Sequence, residues 1–400
     1  MKASAGLLKS RPFWIVCAAL LAMYFSLAWS SFRQERLNHA LIQAIERDDA
    51  VAVRALLAQG ADPNADASGE VPLWIRLEDL FHHHKESHTP VLFLAINVGG
   101  FSKKFSAGSS DSAQEDATSV AIIQALLDKG ARPDVREDGR TPLDTAIYLD
   151  LTNAALVLAR RGAKPSRKIN GQPALMVAVS NLNPTLVKLV LDSGGVPDAQ
   201  TGQWSLKDAY NALDRPDKPP GTGMQVMQAL LEAGVSPDTI YPNAPLLYSA
   251  VERKRYEVVR LLLEHGANPN PKPGVGDLPL LWYALDAKPQ MLQMLLDAGA
   301  DADAVNAQDG EPLLWYAVIH KIAEPPAERA LKVKLLLDHG ADPLRPMPGA
   351  ASHAALWDYA AQHAADWHIS GDILALLQSA AAKRPLPNLP APRRGRPQRG

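Results

Sequence analysis

The hydrophobic residues of most of the chain recur with the period of a helix, and the segments that carry them come in pairs. In the segment YEVVRLLLEHG four apolar residues fall largely on one helix face: Val258, Val259, Leu262 and Leu263. Gly266 follows at the position where a left-handed residue closes many helices. A second kind of segment begins at a proline, as in HTPVLFLA and RTPLDTA, and proline suits the first turn of a helix. The pattern predicts units of two helices joined by a turn.

One phrase recurs along the chain in forms such as LLAQGADPN, LLDKGARPD and LLEHGANPN. Most of its copies are 32 or 33 residues apart, and three intervals are wider. A period of this length is typical of repeat architectures, in which each unit buries its hydrophobic face against its neighbours. The wider intervals predict inserts near residues 65–88, 97–119, 201–223 and 320–330. Each copy has a first glycine that marks the end of a second helix: Gly60, Gly130, Gly162, Gly194, Gly234, Gly266, Gly299 and Gly340.

These two phrases resemble the signature of the ankyrin-repeat family, a Thr-Pro-Leu-His-x-Ala helix start and a Leu-Leu-x-x-Gly-Ala-Asp helix end. The resemblance covers about residues 34–380, although the histidine of the signature is absent from every copy. It implies an all-α ankyrin-repeat solenoid, made of helix-turn-helix units with hairpin-like fingers. The resemblance assigns residues 33–382 to this domain, with about eight repeats and a degenerate C-terminal cap.

The N-terminus has a different composition. A basic segment, residues 1–12, precedes the uncharged segment FWIVCAALLAMYFSLAWSSF at residues 13–32. A helix of this length is roughly 30 Å long, enough to cross a hydrocarbon core. It predicts one hydrophobic helix that acts as a transmembrane signal-anchor in the lipid bilayer. The predicted location is the inner membrane, single-pass, with the repeats in the periplasm. Ala28 and Ser30 leave a cleaved signal and a soluble periplasmic protein as the alternative.

Charge and cysteine content exclude several classes of function. The chain has 41 basic and 43 acidic residues, so no long-range field favours nucleic acid. Cys17 is its only cysteine, which excludes an intramolecular disulfide and a thiolate-rich zinc site. The sequence contains no phosphate-binding glycine loop with its lysine, no Gly-x-Ser-x-Gly and no His-Glu-x-x-His. We therefore expect a protein that is not an enzyme, with no cofactor and no small-molecule substrate.

Aromatic residues at matching repeat positions are the candidate binding residues. Trp282 and Trp315 are 33 residues apart, so they occupy the same place in successive repeats. Aromatic side chains make good binding anchors, but they also fill the core between helices. The resemblance implies a membrane-anchored scaffold that binds an unidentified protein through its concave face and fingers. The candidate partner-binding residues are Tyr248, Trp282, Tyr283, Trp315 and Tyr316.

A histidine cluster supports the alternative of a metal-binding or metal-handling protein. The segment FHHHKESHTPVLFLA contains His82, His83, His84 and His88. His84 and His88 have i,i+4 spacing, but Pro90 starts the helix after them, which disfavours a helical ligand pair. The histidines are better interpreted as part of an enlarged finger.

The C-terminal segment KRPLPNLPAPRRGRPQRG, residues 383–400, is basic and rich in proline, which predicts a disordered tail. The absence of any Asn-x-Ser/Thr site and the many alanines favour a bacterial source.

Overall fold

The structure is a computed structural model, and it describes the chain in nine segments. These are residues 11–67, 89–105, 112–194, 197–216, 219–241, 243–271, 278–320, 324–346 and 355–383. The chain divides into two compact units, Met1–Ala229 and Leu230–Gly400. Unit 1 and unit 2 denote these two parts below.

Unit 1 contains helices and, among the described residues, one pair of short strands. In chain order the elements are α1 (Arg11–Glu46), α2 (Ala50–Ala58), α3 (Val91–Phe105), α4 (Ser112–Asp128), α5 (Pro142–Tyr148), α6 (Thr152–Arg160), β1 (Lys168–Ile169), β2 (Gln172–Pro173), α7 (Ala174–Ser180), α8 (Pro184–Asp192), α9 (Ala199–Asn211) and most of α10 (Thr222–Glu232). A 3-10 turn, Ala212–Asp214, follows α9. The two strands pair antiparallel, with Lys168 opposite Pro173.

Among the described residues of unit 2, the elements of regular secondary structure are helices. Its helices are α11 (Leu246–Glu252), α12 (Tyr256–Glu264), α13 (Leu280–Leu285), α14 (Pro289–Asp297), α15 (Leu313–Ile319), α16 (Pro326–Asp338), α17 (Leu356–Gln362) and α18 (Gly371–Ala382). The predicted fold class, mostly helical and built from helix pairs, is confirmed in both units.

Within each unit, helix pairs pack against neighbouring pairs. In unit 1, α3 contacts its partner α4 and also α5, while α4 contacts α6. In unit 2, α11 contacts α12 and α13, and α14 contacts α16. First helices therefore stack on first helices and second helices on second helices, as in a repeat protein. The alanines that end the proline-led phrases lie at these contacts and are almost fully buried: Ala146, Ala178, Ala250, Ala284 and Ala317.

Local sequence determines where the helices begin and end. Thr141 caps α5 by accepting a hydrogen bond from Asp144 N at its hydroxyl, and the Asp144 carboxylate accepts one from Thr141 N, which completes a capping box. Pro142 occupies the first turn, where its missing N–H costs nothing. At the end of the same helix pair, Gly162 follows α6 with φ of +88°, the left-handed conformation that glycine adopts without strain.

Three of the predicted inserts contain helix. In 201–223 the chain forms most of α9 and the start of α10, and α9 packs on α7. A Cβ on Gly223 would lie 2.9 Å from Ala209 O, so glycine permits α10 to approach α9 closely. In 97–119 the chain extends α3 and begins α4. The insert at 65–88 lies mostly outside the described residues, and in 320–330 helix α16 starts at Pro326. The exact domain boundaries remain a prediction.

Helix α1 continues without a break from the hydrophobic N-terminal segment into the first repeat. Its last turns bury Leu41, Ala44 and Ile45 against the repeats. Within the described part of the chain, no helix has both the length and the hydropathy needed to cross a membrane. The predicted membrane span at 13–32 is therefore not supported by the structure.

Candidate functional site

The aromatic residues predicted from the sequence come together in unit 2 as a regular series of ring contacts. Tyr248 on α11 lies 5.8 Å from Tyr283 on α13, measured between ring centroids. In the next repeats the same relation joins Trp282 to Tyr316 at 6.3 Å and Trp315 to Tyr359 at 5.4 Å. Each contact thus links one first helix to the next. We call this set the aromatic ladder: Tyr248, Trp282, Tyr283, Trp315, Tyr316 and Tyr359.

The two aromatic positions of each repeat have different burial. Tyr248, Trp282 and Trp315 are buried, with 8%, 4% and 0% of their surface exposed. Tyr283 and Tyr316, the residues that directly follow the two tryptophans, remain partly exposed. The buried rings fill the space between first helices, so a partner cannot reach them without rearrangement of the core. Of the five candidate residues, Tyr283 and Tyr316 are the ones that a partner can touch.

Polar atoms of the buried rings attach each first helix to the finger of the following repeat. Tyr248 Oη donates a hydrogen bond to Leu278 O at 3.1 Å, just before α13. Trp315 Nε1 donates to Arg345 O at 3.0 Å, before α17. Burial, together with the nearby Tyr283, raises the pKa of Tyr248 to about 12, so its hydroxyl stays protonated at neutral pH. These bonds hold the exposed tyrosines on a fixed support.

The ladder continues into the C-terminal cap, where the sequence interpretation did not place it. Tyr359 lies 4.5 Å from His363 and 5.1 Å from Trp367, and the last two rings stack at 4.9 Å. Tyr359 precedes Ala360 just as Tyr316 precedes Ala317, and this register was the signal that could have found it. The cap therefore repeats the aromatic pattern of the repeats before it.

A carboxylate and an imidazole lie beside the exposed part of the ladder. His320 stacks on Tyr316 with ring centroids 5.0 Å apart, and its Nε2 lies 3.1 Å from Glu311 Oε1. Burial raises the pKa of Glu311, and the neighbouring His320 opposes that increase. The contact with Glu311 orients His320 against Tyr316. It also places a polar group beside Tyr316 on the exposed side of the ladder.

The alternative of a metal-binding protein rests on histidines of the enlarged finger. His82, His83, His84 and His88 lie outside the described residues. In the segments that are described, no three His, Cys, Asp or Glu side chains come together in a group that could hold a metal ion.

Comparison with known proteins finds similarity to a repeat family in one helix pair of unit 2. The sequence profile of the ankyrin repeat matches residues 243–272, which include α11 and α12. Residues 243–272 are therefore similar to an ankyrin repeat. Over 165 residues it is 32% identical to the B-cell lymphoma 3 protein homolog of Mus musculus. That match covers 39% of this chain and 36% of the mouse relative, so the chain spans about a third of its relative's length.

Solved structures with similarity to the chain are ankyrin-repeat domains. The ankyrin repeat domain of Bcl-3, a member of the IkappaB protein family, is 24% identical, with 56% of this chain and 91% of that one covered and a TM-score of 0.34. An ankyrin repeat domain from Acinetobacter baumannii AYE is 22% identical over 50% of this chain and 98% of that one, with a TM-score of 0.35. The human ASB11 domain is 20% identical over 76% and 98%, with a TM-score of 0.26.

Proposed function

We propose that this protein is a non-catalytic ankyrin-repeat scaffold that binds a protein partner through the exposed tyrosines of the aromatic ladder. The observation that carries the proposal is that the two adjacent aromatic residues of a repeat differ in burial. A buried tryptophan fixes the position, and the tyrosine beside it, Tyr283 or Tyr316, remains accessible. Ankyrin-repeat proteins are typically non-catalytic binding scaffolds, which fits this arrangement.

The physical properties of the ladder suit a binding surface. A tyrosine buries a large area on contact and loses few rotamers, and its hydroxyl can form a hydrogen bond at the rim of an interface. Tyr283 and Tyr316 hold the same position in successive repeats, so their spacing follows the spacing of the repeats. The ring contacts beneath them restrict their motion before a partner arrives, which lowers the entropy lost on binding.

Site-specific crosslinking tests this proposal. A photoreactive phenylalanine analogue is placed at Tyr283 or Tyr316 in the native cell, and the products are identified by mass spectrometry. We expect one partner to be captured from both positions. The control is Tyr148 on α5, which is 50% exposed and lies outside the ladder. A protein captured equally from Tyr148, or no product at the ladder, would contradict the proposal.

We also propose that residues 13–32 attach the chain to the inner membrane, with the repeats on the periplasmic side. Support comes from the uncharged sequence and from large apolar side chains of α1 that are exposed: Leu20, Leu21, Met23, Tyr24, Phe25, Trp29 and Phe32. Cell fractionation is expected to place the full chain in the membrane pellet and a variant lacking residues 13–32 in the soluble fraction. Recovery of the full chain from soluble periplasm would indicate a cleaved signal instead. The bacterial source that this location assumes remains a prediction.

A further inference from the structure

A groove of about 640 Å³ lies in unit 1, away from the aromatic ladder in sequence. One wall is the finger formed by residues 164–173, which includes β1 and β2. The other wall is the start of α9, the helix that occupies the predicted insert. Because α9 belongs to the insert, the groove belongs to this chain and not to the regular repeat.

The finger is held in place by a buried carboxylate of the preceding repeat. Asp144 is fully buried at the start of α5, and its oxygens accept hydrogen bonds from Ser166 N at 2.8 Å and from Ser166 Oγ at 2.6 Å. Ala174 N donates to Arg167 O at 3.1 Å, which closes the finger onto α7. These bonds define the backbone of the finger before any ligand binds.

The helical wall is equally well defined. Asp198 caps α9 by accepting a hydrogen bond from Thr201 N at 2.8 Å, and the same bond lowers the pKa of Asp198. One turn further along α9, Trp204 is 50% exposed, with Lys207 Nζ 5.0 Å from its ring centroid.

The charges around the groove are mostly positive, and its floor is apolar. Lys164, Arg167 and Lys168 are exposed along the finger, and Asp198 is the one acidic residue among those that line the groove. The floor includes Ala174, Leu175 and Val190, which are buried. No aromatic residue lines the groove, so the described residues provide no ring on which a nucleic-acid base could stack.

We propose that this groove binds an acidic peptide segment of a protein partner, with carboxylates on Lys164, Arg167 and Lys168 and small apolar side chains on the floor. The proposal rests on the proposed function, because it assumes that the chain binds proteins. It adds a second contact region in unit 1 and the chemical class of the segment that fills it. Positive charges on a fixed finger steer an acidic segment and fix its register.

Fluorescence anisotropy on the purified full chain tests the groove. The probe is a short fluorescein-labelled peptide that alternates Glu and Val, and the comparison peptide replaces Glu with Gln. We expect the Glu peptide to bind, the Gln peptide to bind at least about tenfold more weakly, and the difference to shrink in high salt. The triple variant Lys164→Glu, Arg167→Glu, Lys168→Glu is expected to weaken binding of the Glu peptide by about tenfold or more.

A control variant with the same change in net charge is Lys129→Glu, Lys334→Glu, Lys383→Glu, at exposed residues that do not line the groove. This control variant should bind the Glu peptide like the wild type.

The variant Lys164→Gln, Arg167→Gln, Lys168→Gln repeats the test with a smaller change in charge, because it removes the positive charges without adding negative ones. Circular dichroism confirms that each variant is folded. Equal weakening by the control, equal binding of the Gln peptide, or displacement of the Glu peptide by a single-stranded oligonucleotide at equal concentration would overturn the proposal. The ladder is tested separately by crosslinks in cells, so either proposal can fail while the other stands.

Discussion

Tyr248 shows how a single residue of the ladder affects stability. Its hydroxyl is buried and bonded to Leu278 O, and burial raises its pKa from 10.0 to about 12. An unfolded tyrosine ionises near pH 10, whereas the folded one stays neutral until about pH 12. The unfolded state therefore loses its proton first, and the free energy of unfolding falls by about 2–3 kcal/mol across this range. Below pH 10 this contribution is fully present.

Replacing Tyr248 with Phe is expected to cost about 1 kcal/mol at neutral pH, because the hydrogen bond is lost. The variant has no hydroxyl at this position that ionises between pH 10 and pH 12. Its free energy of unfolding should therefore equal or exceed that of the wild type near pH 12. Denaturant unfolding at a series of pH values measures both effects. The control Tyr148→Phe, at an exposed position, should change stability by less than about 0.5 kcal/mol at neutral pH. A constant difference between Tyr248→Phe and wild type at all pH values would contradict the role of this hydroxyl.

Residue-level burial is the property that the sequence predicts least well. The pairs Trp282–Tyr283 and Trp315–Tyr316 are adjacent aromatics, and their sequence does not say which ring is buried. Which ring is buried depends on contacts with the next repeat, where Trp282 contacts Tyr316.

The burial of Lys332 is a second example, since Lys332 is almost fully buried and its Nζ donates to Leu285 O at 2.6 Å and to Glu324 Oε1 at 2.9 Å. No local pattern in ERALKVKLLLD indicates a buried cation.

At the scale of elements, Asp144 joins a helix start to a finger. It completes the capping box of α5 and accepts both hydrogen bonds from Ser166. Replacing Asp144 with Ala leaves the N–H groups of Thr141 and Ser166 without this acceptor, which we expect to cost about 3 kcal/mol. The same change should weaken binding of the Glu peptide, because the finger that carries Arg167 is no longer fixed.

Thermal unfolding and the anisotropy assay measure these two effects. The matched control is Asp134→Ala, at an exposed aspartate of the same repeat, and it should leave both quantities close to wild type. If Asp144→Ala loses stability but binds the Glu peptide normally, the bond to Ser166 has a purely structural role.

Elements differ in how well the sequence predicts them. The helix start at Pro142 and the helix ends at glycine follow from local capping and turn interactions, and the structure has them where the sequence places them. Helix α9 is different, because the sequence predicts an insert at 201–223 without predicting its structure. The buried face of α9 is defined by packing on α7, a contact between segments that are distant in sequence. The groove beside α9 could not be found before that contact was known.

At the largest scale, the helices within each unit contact mainly their neighbours along the chain. Helix α13 contacts α11, α14 and α15, and helix α16 contacts α14, α15 and α18. In such an arrangement the free energy of unfolding is approximately a sum of repeat terms and of terms between adjacent repeats. A change in one repeat should therefore act most strongly on the repeats beside it.

Replacing Trp315 with Ala tests this locality. The side chain is fully buried and joins α15 to Tyr359 and to Arg345 O, so its loss should cost about 3–5 kcal/mol. Hydrogen exchange measured by mass spectrometry should show faster exchange in α13 to α18 and little change in α5 to α8. The control Trp204→Ala removes a half-exposed tryptophan and should leave exchange in α13 to α18 unchanged. An equal increase along all described helices after Trp315→Ala would mean that the repeats unfold as one cooperative block, and the neighbour description would then be wrong for this chain.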